Sequence, residues 1–483
     1  MIQGQNLVAG SWVPAQSGRT FARCNPADPS DVIGVFPASG PEDVAAAVDH
    51  LEKAAPEWAA TPPERRAAIL ESAAAQLESR SDELAAELVR EEGKTAAEAR
   101  MEVGRTPANL RYYAAEATRC AGSTLPAPGD TLLYTVREPV GIVGAVTPWN
   151  FPLNIPSRKL GPALALGNPV LFKPSELTPL MGQRLVEALL HGGLPPEAIA
   201  LVQGDGRAGA AVAADDRIAA VTFTGSTGVG RSIHRQVGPH RRVQLEMGGK
   251  NPVVVADDAD PDRAAALIVK GAFGLSGQAC TGTSRVIATA AVHDALADRV
   301  VALAQALQVG PGERAGVDMG ALASAGQLEK FLGYVRAGVE EGATLRCGGE
   351  RVDVAGCEGG FFVRPAVFTG TEPTMRIVTD EVFGPLLAFQ RAGSLDEAIE
   401  LANATEFGLS ASIVTGDLAA AQRFVRRSRT GLVKVNQPTT GMAMNAPFGG
   451  YKASSTATFK EQAGPSMTEF YLTEKTVYLN PAS

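Results

Sequence analysis

One cysteine of this chain lies among small and polar residues, in the run Gly277-Gln278-Ala279-Cys280-Thr281-Gly282. The run follows a mostly apolar stretch from Leu267 to Leu275. Small neighbours leave a sulfur open to a ligand, whereas a structural cysteine usually sits among larger apolar side chains and is inert. Taken alone, the pattern favours a small buried hydrophobe. Together with the polar motifs upstream, it predicts that Cys280 is a nucleophile.

Two polar side chains upstream supply what a reactive thiol requires. Glu246 stands in Leu245-Glu246-Met247-Gly248-Gly249-Lys250-Asn251, beside two glycines that permit tight backbone turns. Asn150 stands in Thr147-Pro148-Trp149-Asn150-Phe151-Pro152. A thiol nucleophile, a general base and an amide donor for an oxyanion are the groups that form and hydrolyse a thioester.

A glycine-rich run, Phe223-Thr224-Gly225-Ser226-Thr227-Gly228-Val229-Gly230, follows a predicted strand and opens a predicted helix. Glycines let the backbone approach a phosphate, and a helix N-terminus favours negative charge. The run is not GxGxxG, and it lacks the lysine of a Walker loop. The alternative is an ordinary tight turn between a strand and a helix.

Two further motifs suit a nucleotide. Lys173-Pro174-Ser175-Glu176 follows a predicted strand, at the edge where open α/β sheets bind ligands, and its Lys and Glu can bind ribose hydroxyls. The alternative is a surface ion pair. In Glu381-Val382-Phe383-Gly384-Pro385, an acid and an aromatic on the same side of an extended segment can hold a ribose and a flat ring. The alternative is a loop acid beside a core phenylalanine.

Composition narrows the class of protein. The 483 residues are 45% hydrophobic and 20% charged, with a net charge of -8, which argues against a nucleic-acid partner. Five irregularly spaced cysteines without a CxxC pair support neither a metal site nor a disulfide framework and favour a cytoplasmic protein. No signal peptide and no apolar run long enough to span a bilayer is predicted. None of the histidines lies in these motifs, which disfavours a Cys-His hydrolase and predicts exposed surface positions for His50, His191, His234, His240 and His293.

Hydrophobic periodicity predicts an α/β protein. Residues 41–115 have apolar side chains at helical spacing, and residues 120–139 are typical of a hairpin. From Val140, short apolar runs alternate with helical segments, among them a helix from Pro156 to Leu166, which predicts a parallel, doubly wound sheet. A second region from Pro252 to Asn436 repeats the alternation. The final run, from Tyr471 to Leu479, is predicted to be a strand without a partner in its own domain.

Seven motifs resemble those of the NAD(P)-dependent aldehyde dehydrogenases, in the order of that family and over nearly the whole chain. Seven such motifs in one order are not accidental. They are Pro148-Trp149-Asn150-Phe151-Pro152, Lys173-Pro174-Ser175-Glu176, Phe223-Thr224-Gly225-Ser226-Thr227, Glu246-Met247-Gly248-Gly249-Lys250, Gly277-Gln278-Ala279-Cys280, Glu381-Val382-Phe383-Gly384-Pro385 and Pro447-Phe448-Gly449-Gly450-Tyr451-Lys452.

The resemblance implies an aldehyde dehydrogenase-like fold in three parts. A Rossmann-like domain of residues 1–119 and 140–247 would bind NAD or NADP, and residues 248–457 would form an α/β catalytic domain. A β arm of residues 120–139 and 458–483 would complete a neighbour's sheet, which implies a homodimer or homotetramer. The implied partner is a small-molecule aldehyde, with no nucleic acid and no membrane.

The resemblance also implies roles for single residues. Cys280 would attack the aldehyde, the Asn150 amide and the Cys280 N–H would hold the oxyanion, and Glu246 would activate water against the thioester. The implied catalytic residues are Cys280, Glu246, Asn150 and Lys159. The implied cofactor-binding residues are Thr147, Pro148, Trp149, Lys173, Ser175, Glu176, Gly206, Gly209, Phe223, Thr224, Gly225, Ser226, Gly230, Gly248, Glu381 and Phe383. The implied substrate-binding residues are Asn154, Arg158, Phe151, Gln437 and Phe448.

Two departures from the family pattern stand out. After Lys452 the family often has a Ser-Gly-x-Gly-Arg-Glu run, whereas this chain has Ala453-Ser454-Ser455-Thr456-Ala457-Thr458-Phe459-Lys460-Glu461. We therefore expect that segment to differ in shape. Met247 stands where leucine is usual, a conservative change in volume.

The substrate is predicted from the residues that flank the Asn150 and Asn436 segments, which the aldehyde must pass. Asn154 and Arg158 lie four and eight residues after Asn150, which predicts one shared helix face. The run from Val435 to Gly441 contains no aromatic residue and resembles α-ketoglutarate semialdehyde dehydrogenases. A polar mouth with a guanidinium suits a semialdehyde acid such as α-ketoglutarate semialdehyde, because arginine pairs bidentately with carboxylate.

Several alternatives stay open. Arg158 could make only a structural ion pair. The substrate could be an aromatic or aliphatic aldehyde, CoA could resolve the thioester in place of water, or the chain could be a non-catalytic relative.

Overall fold

The computed structural model describes residues 1–456 and 459–480. Residues 457–458 of the departing segment, and residues 458 and 481–483 of the predicted arm, lie outside the described residues. The strands are β1 Ile2–Gln3, β2 Asn6–Val8, β3 Ser11–Val13, β4 Thr20–Asn25, β5 Asp28–Pro37, β6 Thr124–Leu125, β7 Leu132–Pro139, β8 Val143–Val146, β9 Val170–Lys173, β10 Ile199–Leu201, β11 Ala220–Thr224, β12 Arg242–Glu246, β13 Asn251–Val255, β14 Thr283–Thr289, β15 Thr344–Cys347, β16 Ala366–Thr369, β17 Leu386–Ala392, β18 Phe407–Gly408, β19 Ser410–Val414, β20 Leu432–Val435, β21 Tyr451–Lys452 and β22 Leu472–Leu479. The helices are α1 Pro41–Ala60, α2 Pro63–Ser79, α3 Ser81–Glu92, α4 Ala96–Ala117, α5 Asn154–Ala165, α6 Pro179–His191, α7 Gly206–Ala214, α8 Thr227–Val237, α9 Pro261–Phe273, α10 His293–Ala306, α11 Ala325–Glu340, α12 Arg376–Thr379, α13 Leu395–Asn403, α14 Leu418–Arg427 and α15 Pro465–Tyr471.

The first large sheet has the order β12-β11-β8-β9-β10-β2-β3. The five strands from β12 to β10 are parallel, and the N-terminal hairpin β2–β3 adds an antiparallel edge. Helices cover both faces: Leu88, Leu110 and Leu160 belong to one apolar cluster and Val48 and Val212 to another. The prediction of a doubly wound parallel sheet is confirmed, because strands buried on both faces need helical cover on each side.

The second large sheet has the order β15-β16-β17-β14-β13-β19-β20. All of its pairs are parallel except the edge pair β15–β16. Its helices also lie on both faces, where they form two separate apolar clusters. The segment between α9 and β14 carries Cys280, so this sheet presents the nucleophile, whereas the first sheet presents Asn150 and Glu246.

The C-terminal strand pairs outside the second α/β region, with the other segment of the predicted arm. β22 pairs antiparallel with β7 from Leu472 opposite Pro139 to Leu479 opposite Leu132. β6 pairs on the other side of β7 and completes a three-stranded sheet. The sequence does not reveal this pairing, because its register depends on contacts such as Lys475 with Glu138, 337 residues apart.

Three further predictions are corrected. The helix predicted from Pro156 to Leu166 begins at Asn154, and Asn150 lies in a bend before it. The shared helix face therefore applies to Asn154 and Arg158 alone. His293 is buried rather than exposed, because its ring packs edge-on against Phe389. His50 is half-buried.

The part of the chain that the structure describes contains no helix that is both long and apolar enough to cross a membrane.

Candidate active site

The nucleophile follows a left-handed turn. α9 ends at Phe273, and the 3₁₀ turn Gly274–Gly277 then leads to Cys280. Leu275 and Ser276 have φ values of 54° and 52°, a backbone region that residues other than glycine rarely adopt. Ser276 Oγ donates to the Gly320 carbonyl at 2.9 Å and helps to hold this conformation. Strain of this kind persists only where the surroundings determine it, and it clusters at functional sites.

Cys280 opens into a cleft of about 580 Å³ between the two large sheets. The cleft brings together residues from five of the predicted motifs. Its lining is Pro148, Trp149, Asn150, Thr224, Gly225, Ser226, Met247, Gly248, Cys280, Gln327, Lys330, Glu381 and Phe383. Ten of these residues were predicted, and Met247, Gln327 and Lys330 were not. The last two lie on α11, in the run Gly326-Gln327-Leu328-Glu329-Lys330, which is not part of any predicted motif.

The Cys280 thiol is strongly disfavoured as an anion in this state. Burial raises its pKa to about 12, and the carboxylates of Glu381, Glu246 and Glu461 add to the rise while Arg158 opposes it. At neutral pH the side chain of this predicted nucleophile is therefore the thiol. It requires a base or a change in its surroundings to become the attacking thiolate.

Asn150 is anchored on both sides. Its Nδ2 donates to the Gln278 carbonyl at 2.9 Å, which links it to the Cys280 segment. The same amide group has a second N–H that can donate to a further acceptor. Its own carbonyl accepts from Lys94 Nζ at 2.8 Å, and Lys94 in turn donates to Glu102 at 2.6 Å. This ion pair is buried, so it fixes the loop that carries the amide.

Glu102 extends the anchor to the start of α5. Its second oxygen accepts from the main-chain N–H groups of Leu153 at 2.9 Å and Asn154 at 3.1 Å. Sequence reasoning missed both Lys94 and Glu102. The available signal was a glutamate on the apolar face of α4, next to buried Val103 and Ala99.

Glu246 ends β12 and is only 1% exposed. Its Oε1 accepts from Ser455 Oγ at 3.0 Å, and Oε2 has no hydrogen-bond partner among the described residues. Burial raises its pKa to about 8, and Glu461 adds to the rise, while Lys460 and Lys159 oppose it. A carboxylate with a pKa near the working pH is suited to general base catalysis.

Neither Glu246 nor Lys159, both predicted to be catalytic, is among the residues that line the cleft. Lys159 Nζ donates to Glu461 Oε2 at 2.6 Å and to Thr222 Oγ1 at 2.9 Å. Burial opposes ionisation of Glu461, but Lys159 and Arg158 outweigh it and keep the pKa of this carboxyl below its usual value. Glu461 was not predicted as a site residue. It stands in the segment that departs from the family pattern.

The five predicted substrate residues do not line the cleft. Arg158 is 3% exposed, with Nη1 donating to Gln462 at 2.9 Å and Nε 3.4 Å from Glu461. The structural ion pair considered from the sequence is thus present. The Arg158 guanidinium also lies 5.2 Å from the ring of Phe448.

The other three predicted substrate residues differ in how deeply they are buried. The side chain of Asn154 is buried and accepts from Asn109 Nδ2 at 2.8 Å. The ring of Phe151 is half-buried with Lys94 Nζ 4.9 Å from its centre. Gln437 is exposed, and its carbonyl accepts from Ser412 Oγ at 2.6 Å.

Glu381 and Phe383 meet the first sheet across the cleft. Glu381 Oε1 accepts from the Gly249 N–H at 3.0 Å, and a side chain at Gly248 would overlap the Glu381 carboxylate. The Phe383 and Trp149 rings pack edge-on with centres 5.4 Å apart. Phe383 has φ 56°, so the prediction of a regular extended segment is wrong. The left-handed residue turns the ring towards Trp149.

The glycine-rich run leads from β11 into α8 as predicted. Ser226 caps α8, and its Oγ accepts from the Val229 N–H at 3.4 Å. Side chains at Gly225 and Gly230 would overlap Phe223 and Met247, respectively, so both glycines allow close packing of this turn. The free N–H groups and the dipole of the eleven-residue helix face the cleft at Ser226.

The remaining nucleotide predictions follow neighbouring strands of the same sheet. Lys173 ends β9 and lies 3.4 Å from Glu176, and the Thr147 N–H donates to the Lys173 carbonyl. Ser175 Oγ accepts from the Leu177 N–H at 3.2 Å. Gly206 and Gly209 lie in the first turn of α7. The carboxyl ends of parallel strands share one edge, so these residues continue the binding edge beyond the cleft.

A dinucleotide fits this edge. Buried polar atoms without a partner among the described residues include Thr147 Oγ1, Thr224 Oγ1 and Gln327 Oε1. Buried hydroxyls and amides of this kind are normally hydrogen-bonded, which points to a polar ligand. Gln327 and Lys330 place donors opposite the N-terminus of α8. Among the described residues, no group of three His, Cys, Asp or Glu side chains is arranged to hold a metal ion.

Comparisons with known proteins agree on one family. A family model described as the aldehyde dehydrogenase family matches residues 12–477. The chain is 43% identical over 476 residues to 2,5-dioxopentanoate dehydrogenase of Saccharolobus solfataricus, with 98% of each chain covered. It is 42% identical over 477 residues to α-ketoglutarate semialdehyde dehydrogenase of Haloferax volcanii, again with 98% of each covered. The crystal structure of NAD-dependent aldehyde dehydrogenase from Sinorhizobium meliloti has a TM-score of 0.95 and 36% identity, covering 100% of this chain and 96% of that one.

Proposed function

The chain belongs to the aldehyde dehydrogenase family, and we propose that it oxidises α-ketoglutarate semialdehyde to the corresponding dicarboxylate. The reaction type rests on one observation, the meeting of Cys280 and Asn150 with Glu381 and Phe383 in a single cleft. The substrate rests on the two relatives, whose names denote the same five-carbon compound. It rests also on Arg158, which does not line the cleft but whose positive charge opposes the rise in the pKa of Cys280. As a member of this family the protein is an oxidoreductase that uses NAD or NADP.

The chemistry is divided between residues that line the cleft and two buried residues outside its lining, Glu246 and Lys159. The Cys280 thiolate attacks the aldehyde carbon, and the thiohemiacetal oxyanion is held by the Asn150 amide and the Cys280 N–H. A nicotinamide held beside Cys280 would supply the hydride acceptor that oxidation of this carbon to the thioester level requires. Glu246 then removes a proton from water as the water attacks the thioester. Lys159 supports the ionised form of this base, because its positive charge opposes the rise in the pKa of Glu246.

The cofactor roles follow the edge of the first sheet. Glu381 and Phe383 hold the nicotinamide half, since they enclose the part of the cleft beside Cys280. Ser226 and the N-terminus of α8 meet the pyrophosphate. Lys173 and Glu176 bind the adenosine ribose, together with Ser175 and the first turn of α7.

One assay separates this function from its alternatives. Purified enzyme is incubated with either cofactor and a panel of aldehydes, with and without CoA, and reduced cofactor is followed by near-ultraviolet absorbance. We expect turnover without CoA and the highest kcat/KM for the semialdehyde acid. A requirement for CoA, a preference for benzaldehyde or hexanal, or no turnover would each contradict the proposal.

Cofactor choice is expected to favour NAD+ while NADP+ is tolerated. Glu176 accepts well from a ribose 2′-hydroxyl, but its charge repels a 2′-phosphate. The Glu176 side chain is 46% exposed and its partner Lys173 is 3.4 Å away, so the repulsion is moderate. Glu176→Gln should raise kcat/KM for NADP+ relative to NAD+ by about five- to tenfold, a difference near 1 kcal/mol. Glu197→Gln, at an exposed carboxylate outside these motifs, is the control, and a wild type that prefers NADP+ would refute the prediction.

Substrate choice is tested at Arg158. A hydrogen bond to a charged group contributes roughly 1.5–3 kcal/mol. Arg158→Leu should therefore raise KM for the semialdehyde acid by about one to two orders of magnitude and leave KM for propanal almost unchanged. Arg158→Lys keeps the charge without the planar guanidinium. Its KM for the semialdehyde acid should lie between those of the wild type and Arg158→Leu.

The ion pair between Arg158 and Glu461 provides an alternative explanation that this test can distinguish. If Arg158 serves only Glu461, loss of the guanidinium disturbs that carboxylate whichever aldehyde is present. Equal losses for the semialdehyde acid and propanal would then assign Arg158 a purely structural role.

The larger organisation is also proposed. Residues 1–119 and 140–247 form the cofactor domain, residues 248–457 the catalytic domain, and residues 120–139 with 458–483 an arm. Support comes from the three-stranded sheet of the arm, which leaves Leu132, Tyr478 and Leu479 exposed, and from β20 at the edge of the second sheet. Such an arm suits β-augmentation in a homodimer or homotetramer. A cytoplasmic location agrees with the five free cysteines.

A further inference from the structure

A later segment covers the strand that carries Glu246. β12 is an edge strand of the first sheet. The Met247 N–H donates to the Ser454 carbonyl at 2.9 Å, and the Thr456 N–H donates to the Leu245 carbonyl at 3.2 Å. Residues 454–456 thus add a short antiparallel bridge to the strand, with Ser455 directly opposite Glu246. Side chains directly opposite each other in such a pair project to the same face.

The bridge places the Ser455 hydroxyl on one oxygen of the carboxylate. Ser455 Oγ donates to Glu246 Oε1 at 3.0 Å, and both residues are buried. Gly449 closes the space beside this oxygen, since a Cβ at that position would lie 2.6 Å from it. Oε2 makes no hydrogen bond to any residue that the structure describes. One oxygen is therefore held and the other is free.

We propose that Ser455 is a positioning residue for the general base, whose hydroxyl fixes Glu246 Oε1 so that Oε2 receives the proton of the hydrolytic water. The inference rests on the proposed role of Glu246. In the step concerned, the water oxygen bonds to the thioester carbon and its proton passes to Oε2. The carbon–sulfur bond then breaks, and Cys280 leaves as the thiolate with the electron pair of that bond.

The same hydroxyl stabilises the ionised base. Burial and Glu461 raise the pKa of Glu246 to about 8, and the hydrogen bond from Ser455 opposes the rise. Loss of this donor raises the pKa further, so less of the base is ionised at pH 7. The other titratable and charged groups that face Glu246 are Lys159 on α5, Lys460 and Glu461 after the bridge, and Cys280.

The test measures deacylation separately from acylation. In a single turnover, reduced cofactor reports acylation, and quenched samples report release of the carboxylate product. The interval between the two gives the deacylation rate whichever step limits turnover. Any aldehyde that the wild type oxidises serves, including propanal, so failure of the proposed substrate leaves this test intact.

Ser455→Ala should leave acylation unchanged and slow deacylation about tenfold at pH 7, but less at pH 9.5, because loss of the donor raises the pKa of Glu246 further. Ser455→Thr keeps a hydroxyl and should restore the wild-type profile. Ser454→Ala is the matched control, because that hydroxyl accepts the Gly408 N–H and does not contact Glu246. It should produce no shift in the pH profile.

Three results would overturn the inference. One is an unchanged interval in Ser455→Ala, and another is an equal slowing at both pH values, which indicates a general structural effect. The third is a further decrease in the deacylation rate when Ser455→Ala is added to Glu246→Gln. A residue that acts through the Glu246 carboxylate has no effect once that carboxylate is absent. If Glu246→Gln alone leaves deacylation unchanged, the proposed base is at fault rather than its positioning by Ser455.

Discussion

Replacing Cys280 with serine is expected to abolish aldehyde oxidation, with kcat/KM lower by at least about 10³-fold, while dinucleotide still binds. A serine hydroxyl is a far weaker nucleophile at neutral pH, and the enclosed site that raises the pKa of the Cys280 thiol to about 12 would disfavour an alkoxide even more. Binding should persist, because the cofactor edge is formed by other segments. The assay is reduced-cofactor absorbance with enzyme in high concentration.

Binding can be followed in the same samples. Trp149 lines the cleft and packs against Phe383, so its fluorescence should change when a dinucleotide enters. Cys120→Ser is the matched control, because Cys120 is half-buried, begins the proposed arm and does not line the cleft. Substantial turnover by Cys280→Ser, or equal losses in both variants, would refute the assignment of the nucleophile.

The main chemical groups could be predicted from sequence because each lies in a short, distinctive run. Cys280, Asn150 and Glu381 stand beside glycine or proline residues that shape a turn, and turns at strand ends form the binding edge of an α/β protein. The alternation of short apolar runs with helical segments likewise predicts two doubly wound sheets. The structure brings ten of the predicted residues into one cleft.

The supporting residues could not be predicted, because they act across long sequence separations. Ser455 meets Glu246 from 209 residues away, and Glu461 meets Lys159 from 302. Lys94 reaches the Asn150 carbonyl from another helical region. Each lacks a local pattern, since a buried polar side chain is defined by its partner rather than by its neighbours in sequence.

The backbone conformation at the site could not be predicted from the sequence either. Leu275, Ser276 and Phe383 adopt positive φ values although none is glycine. Local propensity predicts the opposite, so surrounding packing must impose these conformations. The same limit applies to the register of β22, because its partner β7 lies more than three hundred residues earlier in the chain.

Glu246→Gln is expected to slow deacylation by about 10²- to 10⁴-fold and leave hydride transfer nearly intact. The amide keeps the size of the side chain, and its carbonyl still accepts from Ser455, so the structure around it is preserved. It cannot accept a proton from water. Stopped-flow mixing with saturating aldehyde should therefore show a burst of reduced cofactor close to one per active site, followed by a very slow steady state.

The pH dependence of the deacylation rate provides a second check on the role of Glu246. The pKa of Glu246 is raised to about 8, so the base is mostly protonated at pH 7 and becomes ionised as the pH rises through 8. Wild-type deacylation should increase about tenfold per pH unit below that pKa and level off above it. The variant has no group to titrate there, so its slow phase should be flat over the same range. Equal slowing of the burst and the slow phase, or an unchanged acid limb in the variant, would show that another group activates the water.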